Sequence, residues 1–278
     1  MTHNTTDWQL IPLNDGSTGQ AFMGVQQEER VFLKRNASPF TTMLAAEGIA
    51  PKLLWTQRTY SGDILTAQEW QDGHLLAKQD MDQAHVIQLI KRVHTTTHLL
   101  HILRRTNGSV FYPMDFIEEY YHELAPSLNS HRFFNDVVRF LEDILDEDFY
   151  QVDYVVCHGD LHHRNFLLAA NQHLYLVDWE AVRIADPLSD ITFLLCQYFT
   201  PSSWMEWFDR YNFQKDATFY KRTQWYSLIN CLRLIKQYFN EGQHQKMNEI
   251  VLLLRSIYED AVQQHRQRQL ADKGDKTL

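Results

Sequence analysis

One stretch of the sequence concentrates residue types that do chemistry: His158-Gly159-Asp160-Leu161-His162-His163-Arg164-Asn165, followed by Val177-Asp178-Trp179-Glu180. Brief apolar runs precede each half. Phosphoryl transfer to a hydroxyl needs such a set. One carboxylate must orient the attacking hydroxyl and take its proton, while an amide oxygen and a second carboxylate hold Mg2+ against the nucleotide phosphates. Asp160 is the expected base, and Asn165 and Asp178 are the expected metal ligands. Cys157, His158, His162 and His163 are also metal-ligand types. Structural zinc takes paired ligands from two separated knuckles, and these residues are adjacent, so a packed or exposed role is favoured for them.

These residues need elements to hold them. Residues 8–13, 20–25 and 30–34 read as strands joined by turns, 38–47 as a short helix opened by Ser38-Pro39 and closed by Gly48, and 53–59 with 63–68 as a further hairpin. After Gly73 the apolar spacing changes. Val86, Leu89, Ile90 and Val93 recur at three and four, as do Ile250, Leu254, Ile257 and Ala261, so helices dominate. Short apolar runs at 154–157, 166–168 and 174–177 have strand length. The fold class expected is α+β, with a small β-rich part over 1–72, a larger and mainly helical part over 73–278, and a joint near residues 69–73.

With this order of elements, His158 to Asn165 and Val177 to Glu180 resemble the signature of the aminoglycoside phosphotransferase and choline kinase superfamily, small-molecule kinases that share the protein-kinase fold. The resemblance spans roughly residues 15 to 260. It implies a protein-kinase-like bilobal fold with a nucleotide-binding lobe over 1–72 and a helical lobe carrying the catalytic loop and acceptor site. It also implies ATP and Mg2+ as cofactors and a small-molecule alcohol as acceptor. By this resemblance Lys34, in Val31-Phe32-Leu33-Lys34, matches the strand lysine that contacts the α- and β-phosphates. Glu47, the one acid in the following helix, is the candidate to pair with it, although it sits late in that helix. Gln68 to Gly73 resembles the segment joining the lobes, where the backbone of Glu69 to Gln71 meets adenine.

Other features are read from the residues themselves. In Asn14-Asp15-Gly16-Ser17-Thr18-Gly19, a glycine-containing hairpin can lay backbone N–H groups and hydroxyls along phosphates, which makes Ser17, Thr18 and Gly19 nucleotide-binding candidates. Asp186 or Ser189 is suited to cap the helix that starts near Pro187, and Asp190 to brace the catalytic loop. Trp179 and Glu180 stand where protein kinases have Phe and Gly. Asp186-Pro187 follows Asp178 too soon for a peptide-docking activation segment. Trp204, Trp207 and Tyr211 share a helical face, either as core or as an aromatic wall for a cationic acceptor, choline-, thiamine- or aminoglycoside-like. The alternative to an enzyme is a catalytically inactive, kinase-like nucleotide-binding or regulatory protein. Such chains usually lose the equivalents of Asp160 or Asp178, and both are present.

The 278-residue chain carries 26 Lys and Arg against 35 Asp and Glu, a net charge of −9, which lacks the basic excess of a nucleic-acid binder and suits cationic small molecules. Three widely spaced cysteines are no disulfide framework and fit a reducing compartment. The polar start has no signal-peptide pattern, and the longest aliphatic run, 250–254, is far below the about 18 residues of a membrane span. A cytoplasmic enzyme without membrane or nucleic-acid partners is expected.

Overall fold

The structure, a computed structural model, describes residues 8–13, 21–107 and 109–275. Its chain begins with β1 (Gln9–Pro12), β2 (Ala21–Gln26), β3 (Glu29–Arg35), α1 (Thr41–Ala46), β4 (Leu53–Arg58), β5 (Ile64–Glu69) and β6 (Gly73–Leu75). Helices α2 (Ala84–Thr95), α3 (Thr97–Asn107), α4 (Pro113–Tyr121), α5 (Pro126–Asn129) and α6 (Arg132–Asp143) follow. Then come β7 (Val155–Cys157), β8 (Phe166–Ala169), β9 (Leu174–Leu176) and β10 (Arg183–Ala185). The chain ends in α7 (Pro187–Tyr198), α8 (Trp204–Tyr211), α9 (Phe219–Asn240) and α10 (His244–Asp275). Two compact units result: the chain up to Arg105 together with His162–Val182, and Thr106–Leu161 together with the chain from Arg183 onward.

The first unit is built on a five-stranded antiparallel sheet in the order β1-β2-β3-β5-β4. Strand alternation explains its register. Val31 and Leu33 of β3 turn to one face and form a buried cluster with Leu65 and Ala67, against which Trp8, Phe22 and Trp55 pack. Lys34, between Leu33 and Arg35, is thereby turned to the opposite face, paired in register with Thr66 of β5. The helix expected over 38–47 is shorter, because Ser38 and Pro39 form a turn instead. The Phe40 N–H donates to Ser38 Oγ at 3.3 Å, and the Thr41 N–H to the Ser38 carbonyl at 3.0 Å. A second, three-stranded sheet has the order β6-β8-β9. Gly73 is needed there for close approach, since a Cβ would lie 2.2 Å from the Leu168 carbonyl oxygen.

In the second unit β7 and β10 pair antiparallel, with Cys157 opposite Arg183. Helix α7 is buried from Leu188 to Cys196, and α9 from Trp225 to Leu232. Helices with so little polar surface must be enclosed, and α7 and α10 both pack on α9. Asp186 caps α7 by accepting the Leu188 N–H at 2.9 Å, with Pro187 at the first helical position. Asp186 is itself fully buried and meets Arg222 of α9, which also donates from Nη2 to Asp216 at 2.8 Å and from Nε to Thr218 at 2.8 Å. No helix among the described residues is long and apolar enough to cross a membrane.

Candidate active site

In the first unit, Lys34 meets two carboxylates. Its Nζ lies 2.7 Å from Asp178 Oδ1 and 2.8 Å from Glu180 Oε1, with the lysine side chain only 15% exposed. Burial pulls the Lys34 pKa down, but its hydrogen bonds to the two acids more than offset this and hold it above the usual lysine value. Asp178 follows β9 in a left-handed backbone conformation (φ 63°, ψ 65°). Asp tolerates that region better than most residues, and such strain is typical of positions held by their surroundings for a task. The surroundings are visible. The Val177 N–H donates to the Asn165 carbonyl at 2.8 Å, so the metal-ligand candidates Asn165 and Asp178 are tied through main chain. Trp179 is buried, donates from Nε1 to the Leu176 carbonyl at 2.8 Å, and sets its ring edge-on to Phe40. Nearby, the Leu176 N–H donates to the Ile49 carbonyl at 2.8 Å.

Glu47 does not join Lys34. Its carboxylate lies 3.2 Å from His98 Nδ1, and its carbonyl accepts from Arg92. The reason is local: Glu47 is the C-cap of a helix that ends at Ala46, and the chain turns away at Gly48 with φ +65°. Glu180 takes its place at the ammonium. Glu69 closes β5, where its N–H donates to the Lys52 carbonyl at 2.8 Å and its side chain accepts from Gln71 Nε2 at 3.1 Å. Ser17, Thr18 and Gly19 lie outside the described residues.

In the second unit, the loop carrying Asp160 is gripped along its main chain. The His158 and Gly159 N–H groups donate to the two oxygens of Asp190 at 2.6 and 2.8 Å. The Asp160 N–H donates to His158 Nδ1 at 3.3 Å, and Gln197 Nε2 donates to the Leu161 carbonyl at 3.1 Å. Gly159 has φ +84°, a conformation that glycine adopts without cost and other residues resist. Asp190 thus braces the loop as expected. His158 is a buried prop of the same loop. Cys157 donates from Sγ to the Ala185 and Asp186 carbonyls, and burial pushes its thiol well above the ordinary value, which marks it as structural.

Two loop contacts were not foreseen from the sequence, from Gln197 and from Arg233, whose Nη2 donates to the Gly159 carbonyl at 3.2 Å. A signal was there, because Arg233 is a lone charge in Leu228-Ile229-Asn230-Cys231-Leu232-Arg233-Leu234-Ile235. The aromatic face of α8 is core. Trp207 is 1% exposed and its ring stacks on Tyr211 at 5.6 Å, so an open wall is not what these residues form.

A model of the phosphotransferase enzyme family matches residues 24–226, and the chain belongs to that family. Solved structures of similar fold include choline kinase LicA from Streptococcus pneumoniae, 17% identical with a TM-score of 0.65 over 89% of this chain and 93% of that one. Ethanolamine kinase from Plasmodium vivax is 13% identical, with a TM-score of 0.62 over 91% of this chain and 82% of that one. An aminoglycoside 2′-phosphotransferase-IIIa is 11% identical, with a TM-score of 0.59 over 91% and 93%. The fold is kinase-like, with a β-rich N-terminal sheet and a mostly helical C-terminal part.

Proposed function

We propose that the protein transfers the γ-phosphoryl group of ATP to a hydroxyl of a small cationic molecule, choline-, thiamine- or aminoglycoside-like, with Mg2+ as cofactor. The observation that carries this reading is the convergence of Asp178 and Glu180 on Lys34, with Asp178 tied through Val177 to Asn165. Two carboxylates gathered about one cation, with Asn165 joined to Val177 through main chain, supply the hard oxygen donor types that Mg2+ prefers. Asn165 and Asp178 would hold the ion, which neutralises charge on the nucleotide phosphates when bound. Lys34 is suited to the phosphates as a compact ammonium, and the backbone of Glu69 to Gln71 to adenine. Asp160 orients the acceptor hydroxyl and takes its proton as the oxygen bonds the γ-phosphorus, the bond from that phosphorus to the β–γ bridging oxygen breaks, and ADP leaves.

Two things support a cationic acceptor: the net charge of −9, and the choline, ethanolamine and aminoglycoside kinases whose folds are similar. Nucleotide use is supported by the AMP complex of LicA and the GDP complex of the aminoglycoside enzyme. The buried free thiols of Cys157, Cys196 and Cys231 suit the cytoplasm.

Calorimetry with ATP, with and without Mg2+, tests the proposal. Wild type is expected to bind ATP more tightly with Mg2+, and Asp178→Asn, which keeps tolerance of the left-handed backbone while removing the charge, is expected to lose that increment. An equal affinity in the two proteins with Mg2+ present overturns the assignment. Lys34→Ala is expected to raise the KM for ATP at least about 10-fold, the scale of one charge-assisted hydrogen bond, and to leave the KM for the acceptor unchanged. Steady-state kinetics with both substrates varied check this, and an unchanged KM for ATP contradicts it.

A further inference from the structure

We propose that Arg233 of α9 is a positioning residue for catalysis, one that clamps the Gly159 carbonyl and so aims the Asp160 carboxylate; the proposal rests on the phosphotransferase reading above. The Gly159 C=O and the Asp160 N–H belong to one rigid unit. Arg233 Nη2 holds its oxygen at 3.2 Å, and His158 Nδ1 accepts its N–H at 3.3 Å. With both ends of that plane pinned, the Asp160 N–Cα bond is fixed in direction, and the carboxylate is aimed about it by its own φ and side-chain torsions.

The clamp is itself held. Arg233 Nη1 donates to Asn230 Oδ1 at 2.9 Å, and its Nε lies 3.4 Å from Glu119 Oε2 of α4. The Asn230 amide donates to the Ser189 carbonyl and to Thr192 Oγ1, both at 2.8 Å, which locks α9 to α7. Helix α7 carries Asp190, the acceptor for the His158 and Gly159 N–H groups. The carboxylate of Glu119 is oriented in turn by Arg183, which binds it through two bonds of 3.0 Å and lies over the Phe111 ring at 4.3 Å. The Arg233 guanidinium sits over the Phe193 ring at 5.1 Å. Two helices therefore grip the same loop, α7 by the His158 and Gly159 N–H groups and the Leu161 carbonyl, and α9 by the Gly159 carbonyl.

Stability alone is a poor reason for this arrangement. The Arg233 side chain is 14% exposed within a run of apolar residues, where an apolar side chain of similar volume is often as stabilising as a paired charge. Burial, with the neighbouring Arg183 charge, holds the Arg233 pKa below its usual value against the pull of Glu119, Asp160 and Asp190, so the Asp160 carboxylate lies within its field.

Arg233→Met keeps the bulk and removes the donors. Its kcat is expected to fall on the order of 10- to 100-fold, the scale of a misaimed catalytic group, with the KM for ATP unchanged. The double variant Asp160→Asn/Arg233→Met is expected to be no slower than Asp160→Asn, because Arg233 acts through Asp160. A merely structural role gives multiplying losses or a parallel rise in the KM for ATP, and either result overturns the proposal, as does an unchanged kcat. If Arg233→Met does not fold, Arg233→Lys, which retains the charge but not the planar fork, is expected to show the same split, and its absence is equally decisive. If wild type transfers phosphate to no acceptor, the enzymatic reading fails. Hydrogen exchange of the Gly159 and Asp160 amides then decides the clamp by itself. Faster exchange in Arg233→Lys than in wild type supports it, and equal exchange refutes it.

Discussion

Asp160→Asn lowers turnover at least about 100-fold and leaves Mg2+-dependent ATP affinity at the wild-type level; this is the expected result for loss of a general base. The amide has the shape of the carboxylate but cannot take the hydroxyl proton. Four contacts on the loop run to its main chain: two from Asp190 to N–H groups, one from Gln197 to the Leu161 carbonyl, and one from Arg233 to the Gly159 carbonyl. Asparagine preserves that main chain, so the loop keeps its form while the chemistry stops. The groups assigned to nucleotide and metal, Lys34, Asn165 and Asp178, are untouched by the change. Initial rates and ATP calorimetry on the same preparation separate the two effects. Turnover near wild type contradicts Asp160 as base, and a matching loss of ATP affinity contradicts the division of roles.

Arg222→Leu destabilises the chain by roughly 3–5 kcal/mol, with a fall in Tm on the order of 10 °C. Arg222 is 4% exposed and Asp186 not at all. Burial lowers the Arg222 pKa, yet the Asp186 and Asp216 carboxylates outweigh burial and raise it above its ordinary value. Burial pushes the Asp186 carboxyl upward, while Arg222 and the Leu188 N–H pull against that. Removing the guanidinium leaves a buried carboxylate without its counter-ion, and the cost falls at the start of α7, the helix that carries Asp190. Thermal melting checks the size of the effect. Pairing the change with Asp186→Asn, which keeps an acceptor for the Leu188 N–H, is expected to recover part of the loss. A melt within a degree or two of wild type shows that the pair is not what holds this corner.

Much of the fold was legible because short-range rules dictate it. Strands β2 to β5 fall within about one residue of their expected places. Their alternation leaves one register that buries Val31 and Leu33. The cap at Asp186 and the brace at Asp190 were legible for the same reason: each residue is suited to backbone N–H groups at a helix start or beside a loop.

What failed depends on long-range partners. Lys34 lies 144 positions from Asp178, and nothing in the sequence weighs Glu180 against Glu47 for the second place at its ammonium. The end of α1 at Ala46 decides it, because Glu47 then faces His98. The spacing of Trp204, Trp207 and Tyr211 correctly marks a shared face. Spacing does not show whether a face is covered, and here Trp204, Trp207 and Tyr211 are all buried. Arg233 was legible only as an anomaly, a charge in an apolar helix whose meaning depends on Gly159, 74 positions earlier.

Phosphoryl transfer from ATP to a small-molecule hydroxyl is tested by a labelling assay. Purified wild-type protein is incubated with ATP labelled in the γ-phosphate, with Mg2+ or with chelator, across choline, ethanolamine, thiamine, aminoglycosides and neutral and anionic alcohols, with Asp160→Asn run in parallel. The result expected is label transferred to a cationic alcohol, dependent on Mg2+ and lost in Asp160→Asn. ATP bound with Mg2+ but label transferred to no acceptor, or transfer undiminished in Asp160→Asn, contradicts it.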